Sequence, residues 1–205
     1  MITSRVEWRR NSYFKYAGYV GLSNQPQFFV LAWLIINVLI LYIYMTHTNR
    51  PTWDEYFLNL IQVIGTRATC DRGKSGCVIV RNKRILTTGY VGSPVGAKHC
   101  DEIGHEIHTI IHEDGSSTRH CIRTAHAEQN AIANAACFGV SLEGATVYCQ
   151  MTPCYVCAKM IINSGIKRVV CAKDYHDGNR TKDIFKETGV EYELISSEIQ
   201  KYADQ

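Results

Sequence analysis

The sequence predicts an α/β protein, in which a three-layer α/β/α sheet domain follows an apolar N-terminal helix. Two observations carry this expectation. Short β-branched apolar runs alternate with segments of helical periodicity from about residue 53 onward, and an uncharged apolar stretch stands apart near the N-terminus. We therefore expect an N-terminal segment at residues 1–45 and a single domain at residues 46–205.

The net charge of the chain is confined to its N-terminal segment. Of 22 basic and 19 acidic residues, four basic and one acidic lie in residues 1–44, so the remainder holds 18 of each sign. Affinity for nucleic acid depends largely on basic side chains that neutralise phosphates. The neutral domain therefore argues against a nucleic-acid partner.

The N-terminal segment has two interpretations. No Lys, Arg, Asp or Glu lies between Lys15 and Arg50, and residues 28–45 are apolar apart from Asn37. Eighteen helical residues span about 27 Å, close to the thickness of a bilayer core, so the segment predicts a single-pass anchor and membrane contact, a buried core helix being the alternative. The second interpretation takes Met45 as the true start and residues 1–44 as an upstream extension, which N-terminal sequencing would decide.

The charge distribution and the cysteine content predict different locations for the domain. Basic residues before the apolar stretch favour a cytoplasmic N-terminus, which would place the domain across the membrane. The nine cysteines, none before Cys70, are odd in number and do not resemble a secreted disulfide framework. We expect reduced thiols and a cytoplasmic domain.

The elements of the domain follow from periodicity and end signals. Residues 53–64 show an amphipathic stripe with Thr52 as N-cap, and residues 76–80 and 84–88 are strands around the turn at Asn82 and Lys83. Residues 89–123 show no period and are expected to form a long functional or metal-bound loop. The remaining elements are expected to be a helix at 124–137, a strand at 145–150, helices at 153–164, 183–188 and 198–203, and strands at 168–172 and 191–195.

Two short motifs carry the chemistry. His126-Ala-Glu128 is followed by Pro153-Cys154-Tyr-Val-Cys157, a pairing that resembles the signature of zinc deaminases. One imidazole and two thiolates leave a fourth zinc position open, which is the catalytic arrangement. Taken alone, Cys-x-x-Cys is also found in structural zinc sites, and the upstream His and Glu favour catalysis.

Longer stretches identify the family more closely. RPTWDEYF, TRATC, TTGYVGSPVGAKHC, HCIRTAHAEQNAI and TPCYVCAKMIINSGIKRVV cover most of the domain. They resemble the deoxycytidylate (dCMP) deaminases of the cytidine deaminase-like superfamily. The resemblance implies the cytidine deaminase-like fold and zinc-dependent hydrolysis of dCMP to dUMP and ammonia, which supplies thymidylate synthesis.

Residue roles follow from the same resemblance. It implies that His126, Cys154 and Cys157 bind the catalytic Zn²⁺ and that Glu128 transfers protons. It also implies a homo-oligomer with dCTP and dTTP, together with Mg²⁺, as allosteric effectors. The loop implied to bind substrate or effector comprises Gly89, Tyr90, Val91, Gly92, Ser93 and Pro94. Val91 departs from the asparagine usual in the family, which puts sugar recognition or effector response in doubt.

A second, structural zinc is a further expectation. Some family members hold such an ion with ligands at the positions of Cys70 and Cys100, and His105 with either His120 or Cys121 would complete four ligands. The alternative is that these are loop residues without a metal role.

Other candidate residues have weaker support from sequence. Ala127, Tyr155 and Tyr175 are candidate substrate contacts, and Arg123, Lys173 and Arg180 are candidates for binding a phosphate. The four other cysteines, Cys77, Cys137, Cys149 and Cys171, are expected to be small core residues. The alternative functions are deamination of another cytosine nucleotide or nucleoside, such as dCTP or cytidine, and a membrane-tethered zinc-binding protein without catalysis.

Overall fold

The computed structural model describes residues 30–39, 50–111, 115 and 117–200. The chain divides into two units after Arg50. In the first unit residues 30–39 are helical (α1), and the rest of the predicted apolar helix at 28–45 lies outside the described residues. Within the described part of the chain, no helix has both the length and the apolar character needed to cross a membrane.

The second unit alternates helices and strands. Its elements are α2 (Trp53–Gly65), β1 (Gly76–Arg81), β2 (Arg84–Tyr90), α3 (Cys100–Ile103), β3 (Ile107–Ile111), β4 (Ser117–Cys121), α4 (Ala127–Cys137), β5 (Thr146–Met151), α5 (Tyr155–Asn163), β6 (Arg168–Lys173), α6 (Asn179–Thr188) and β7 (Glu191–Leu194).

Five strands form one mixed sheet in the order β2-β1-β5-β6-β7. β1 is antiparallel to β2 and to β5, whereas β5, β6 and β7 are parallel to one another. β3 and β4 form a separate antiparallel ribbon. The parallel strands are joined by helices α5 and α6, as parallel neighbours require.

The sheet buries side chains on both faces, which gives the three layers expected from the sequence. On one face Val78, Tyr148 and Val170 pack with Phe57 and Ile61 of α2. On the other face, α4, α5 and α6 cover a larger core. Its strand residues are Cys77, Ile79, Val147, Cys149, Val169 and Cys171. Alternate residues of each strand therefore face opposite layers, as the two-residue period of a strand dictates.

Short sequence signals explain where α2 begins and how the chain turns from β1 to β2. Thr52 and Glu55 form a capping box at the start of α2. Asn82 and Lys83 have positive φ angles of 53° and 63°, which suits the tight turn between β1 and β2.

The structure corrects several expected boundaries. The predicted loop at 89–123 contains the end of β2, the short helix α3 and the β3–β4 ribbon, which show no clear period because neither ribbon strand has a continuously buried face. The helix expected from 124 begins at Ala127, and the one expected from 153 begins at Tyr155. The helix expected at 183–188 begins earlier, at Asn179.

Two further expectations are wrong in the described residues. Glu198–Gln200 are not helical, because Ile199 pairs with Asp174 in an isolated bridge, and residues 201–203 lie outside the description. Cys137 is exposed at the end of α4, so it is not a core residue, whereas Cys77, Cys149 and Cys171 are buried as expected.

Candidate active site

The N-terminus of α4 presents His126 and Glu128. His126 is the N-cap residue, and its backbone N–H donates to Gln129 Oε1 at 2.9 Å. Because Gln129 satisfies that N–H, the imidazole of His126 is available for contacts outside the helix. Its Nδ1 lies 3.5 Å from Cys154 Sγ and 3.4 Å from Cys157 Sγ.

The two cysteines come from the turn between β5 and α5. Cys154 is the N-cap of α5 and has an extended conformation, with φ −64° and ψ 161°. Cys157 lies in the first turn of the helix, and the contact with Cys154 together with burial raises the pKa of its thiol. Pro153 precedes the N-cap rather than occupying the first helical turn, and it lacks an N–H that would need a partner.

The three side chains converge as metal ligands do. Their ligand atoms all lie within 4.8 Å of one another, so these residues could hold a metal ion. The hydrogen bond from Cys157 lowers the pKa of the Cys154 thiol to about 4, and the contact with Cys154 raises the pKa of His126 to about 9. Cys154 is therefore the first of the two thiols to ionise, and the donor set of sulfur and nitrogen suits zinc.

Glu128 lies beside this triad in a buried position. It is only 7% exposed, and burial raises the pKa of its carboxyl to about 8. A carboxyl group with a pKa near neutrality can both accept and return a proton.

One pocket is lined by His126 and Cys154 of the triad and by Glu128, and it extends away from them. Its wall includes residues from the segment after α2, from the β3–β4 ribbon, from the start of α4 and from the ends of β5 and β6. The lining residues are Cys70, Arg72, Gly73, Ser75, Val91, Arg119, His120, Cys121, Thr124, His126, Ala127, Glu128, Met151, Thr152, Cys154 and Tyr175. The expected substrate contacts Ala127 and Tyr175 are thus both in the wall.

A second Cys/His group lies at the base of the ribbon. The ligand atoms of Cys70, Cys100, His105 and Cys121 lie within 4.8 Å of one another. Cys70 Sγ is 3.6 Å from His105 Nδ1, and the sulfurs of Cys100 and Cys121 are 3.6 Å apart. His105 Nε2 contacts Asp71 Oδ1 at 2.9 Å, as outer carboxylates orient metal-bound imidazoles.

The geometry selects Cys121 rather than His120 for this group. His120 lies one residue away on β4, where its Nε2 contacts Thr118 Oγ1 at 3.0 Å, and it lines the active-site pocket without joining the group. Neighbouring strand residues point to opposite faces, so only one of the two could join the group.

The loop implied to bind substrate or effector contributes less to the pocket wall than expected. Of its six residues only Val91 is in the described pocket wall. Gly89 and Tyr90 belong to β2, and Gly89 permits close packing, because a Cβ there would lie 2.1 Å from the Ala127 carbonyl oxygen. Gly92 pairs with Ala125 in a bridge.

Several other candidates lie outside the wall. Tyr155 packs under Arg180, whose guanidinium carbon lies 3.9 Å from the ring centroid. Arg123 contacts Glu106 at 3.6 Å, and Lys173 contacts Glu198 at 3.1 Å. Sequence reasoning missed the two arginines of the wall, Arg72 and Arg119, because they lie far apart in the chain and in segments without a recognisable period.

Comparison with known proteins identifies the family. The family model described as the cytidine and deoxycytidylate deaminase zinc-binding region matches residues 51–173. The chain belongs to this deaminase family. Both motifs and most of the pocket wall fall inside the matched residues.

Two relatives illustrate the similarity, and one of them is named a deoxycytidylate deaminase. The chain is 38% identical over 129 residues to the deoxycytidylate deaminase of Mycobacterium phage D29, covering 62% of this chain and 98% of the phage protein. It is 38% identical over 147 residues to ComE operon protein 2 of Bacillus subtilis (strain 168), covering 72% and 73% of the two chains.

A solved structure shows the same fold. The crystal structure of dCMP deaminase from the cyanophage S-TIM5, in complex with dCMP and dUMP, superposes with a TM-score of 0.57 at 29% identity. The match covers 71% of this chain and 98% of the cyanophage chain. The central mixed sheet flanked by helices is therefore the fold of this deaminase family.

Proposed function

We propose that this protein hydrolyses dCMP to dUMP and ammonia. The observation that carries the proposal is the buried Glu128 carboxyl, which lines one pocket together with His126 and Cys154 of three converging metal ligands. A purely structural metal site has no use for a buried carboxyl group beside its ligands. The names of the relatives, which include deoxycytidylate deaminases, support dCMP as the substrate.

His126, Cys154 and Cys157 would hold the zinc. The fit rests on their donor set, on the separations within 4.8 Å and on the pocket that His126 and Cys154 line. Zinc bound there would lower the pKa of water to about 7 and thus supply hydroxide at neutral pH.

Glu128 moves the proton in this reaction. Its carboxylate accepts a proton from water, whose oxygen bonds to the ring carbon that carries the amine. The proton passes to the adjacent ring nitrogen. The carboxylate then takes the remaining hydroxyl proton and delivers it to the amine, which leaves as ammonia as its C–N bond breaks and the C=O bond forms. The water is consumed, the products are dUMP and ammonia, and no oxidant or reductant is needed.

The wall of the pocket suggests how the nucleotide is held. We propose that Arg72 and Arg119 bind the 5′-phosphate, since both line the pocket and guanidinium groups suit phosphate. Tyr175 and Val91 would border the base and the sugar.

An ammonia-release assay over dCMP, dCTP, deoxycytidine and cytosine tests the proposed substrate. We expect dCMP to be the preferred compound, and a protein inactive on every deoxynucleotide would overturn the proposal.

A variant tests the role of Glu128. Glu128→Gln should retain zinc and lose turnover by about 10²–10⁴-fold, the usual contribution of a positioned acid–base group. Glu187→Gln, at an exposed position of α6, is the matched control and should keep wild-type turnover. Unchanged turnover in Glu128→Gln would show that another group transfers the proton.

We further propose regulation, assembly and location from the family resemblance. dCTP and dTTP, with Mg²⁺, would act as effectors of a cytoplasmic homo-oligomer. Residues 70, 100, 105 and 121 would hold a structural zinc, and residues 28–45 would act as a membrane anchor if the N-terminal segment is translated. Light scattering with and without each effector, together with initial rates, tests the first two proposals.

A further inference from the structure

A polar group behind the pocket wall has no assigned role. It consists of Asp174 with Thr152, Tyr175, Lys182 and Tyr192, and we call it the Asp174 network. We propose that Asp174 is a positioning residue, which holds Thr152 and Tyr175 in place in the wall of the pocket. The consequence for the reaction rests on the proposed function.

The carboxylate of Asp174 accepts hydrogen bonds on both oxygens. Oδ1 accepts from Thr152 Oγ1 and from the backbone N–H of Tyr175, each at 2.8 Å. Oδ2 accepts from Lys182 Nζ at 2.6 Å. The side chains of Asp174 and Lys182 are only 18% and 30% exposed, so this pair is well shielded from water, and charge-assisted bonds of this kind are the stronger ones.

Thr152 transmits this restraint to the turn that carries the metal ligands. Its hydroxyl has one proton, which goes to Asp174, so the Tyr192 hydroxyl at 2.8 Å must donate to Thr152 Oγ1. Its backbone N–H donates to the Lys173 carbonyl at 3.0 Å. Thr152 is 1% exposed and is separated from Cys154 by Pro153 alone.

Tyr175 is held by the same Asp174 carboxylate. Its N–H binds Asp174, and its carbonyl accepts from the Gly178 N–H at 3.0 Å. The turn is tightly packed, because a Cβ at Gly178 would lie 3.0–3.2 Å from Tyr175, Thr152 and Asp174 atoms. One carboxylate thus joins two pocket-lining residues from the ends of β5 and β6.

This arrangement predicts an effect on substrate binding more than on chemistry. Asp174 contacts neither Glu128 nor the metal ligands in the described hydrogen bonds, whereas both residues that it holds line the pocket. Asp174→Ala removes every acceptor, and KM for dCMP should rise about 10–100-fold with a much smaller fall in kcat. Asp174→Asn keeps one acceptor oxygen and should restore most of the loss.

The matched control is a nearby carboxylate that does not reach the wall. Glu198 pairs with Lys173 at 3.1 Å, and its side chain is 67% exposed. Glu198→Gln should leave KM, kcat and zinc content at their wild-type values.

Hydrogen exchange at the Tyr175 amide gives a readout that does not depend on catalysis. We expect faster exchange in Asp174→Ala than in wild type, with zinc content and melting temperature measured on the same samples. If the Ala variant does not fold, Lys182→Met, which removes only the cation, should still raise KM.

The outcomes distinguish the positioning role of Asp174 from the proposed deamination of dCMP. Wild-type KM and wild-type exchange in folded Asp174→Ala, or in Lys182→Met where the Ala variant does not fold, would overturn the positioning role. Faster exchange in a protein whose wild type fails to deaminate dCMP would support positioning and refute the proposed function instead. A global loss of protection, with no recovery in Asp174→Asn, would show a structural role only and overturn the inference.

Discussion

Replacing Gly89 by alanine should displace the helix that carries His126 and Glu128. The new Cβ would lie 2.1 Å from the Ala127 carbonyl oxygen and 2.5 Å from the Ala131 nitrogen. Both are backbone atoms, so no side-chain rotation relieves the clash. Asn130 Nδ2 donates to the Tyr90 carbonyl at 2.8 Å, which ties α4 to β2 beside this position.

The expected magnitude follows from the contact distance. Ordinary contacts begin at 3.4 Å, so α4 and β2 must separate by about 1.3 Å. A shift of about 1 Å in a catalytic group can cost about 10²-fold in rate. Overpacking of this kind costs about 1–3 kcal/mol of folding free energy, which for a domain of this size lowers the melting temperature by about 2–12 °C.

Gly76→Ala is the matched control on the opposite face of the sheet. Its Cβ would lie 2.2 Å from the Ile61 carbonyl oxygen of α2, a helix that contributes no residue to the described pocket wall. We expect a similar loss of stability with kcat/KM within about threefold of wild type. The assay is kcat/KM for dCMP at equal zinc content, with melting temperature by circular dichroism. Equal loss of activity in both variants, or none in Gly89→Ala, would refute the reasoning.

The remaining predictions concern metal content, pH and nucleotide affinity. Cys100→Ser should reduce zinc from two to one per chain by elemental analysis, and one zinc in fully loaded wild type would contradict the second site. The hydrogen bond from Arg168 holds the pKa of Asp54 below its ordinary value, so its stabilisation is present above pH about 3.9 and is lost below that value. Asp54→Asn should therefore lower the unfolding free energy by about 1–2 kcal/mol at pH 7, a figure reduced for its 33% exposure, and urea titrations should show this difference shrinking below pH 4. Val91→Asn adds a polar group to the pocket wall and should tighten dCMP binding by about 2–12-fold in calorimetry; an unchanged affinity would show that position 91 does not meet the sugar.

The structure corrects or completes predictions for residues whose role depends on distant parts of the chain. His120 and Cys121 are adjacent in sequence, and both residue types can bind zinc. Both line the pocket, but the register of β4 against β3, with His108 opposite His120, places only Cys121 within reach of Cys70 and Cys100. No local pattern contains that register, because a strand reverses its faces with every residue.

The sequence by itself determined the chemistry and most of the sheet. His126-Ala-Glu128 and Cys154-x-x-Cys157 are short-range spacings, and a helix N-terminus converts such spacings directly into convergent groups. The strands of the main sheet are likewise visible because their apolar residues lie close together in the chain.

Tertiary structure alone decided which other residues join the metal ligands and Glu128 in the site. Arg72, Arg119 and Thr152 enter the pocket from three separate segments, and Asp174 reaches Thr152 across two neighbouring strands. These contacts depend on strand register and on the close approach of α4 at Gly89, which are set by packing between distant segments rather than by local periodicity.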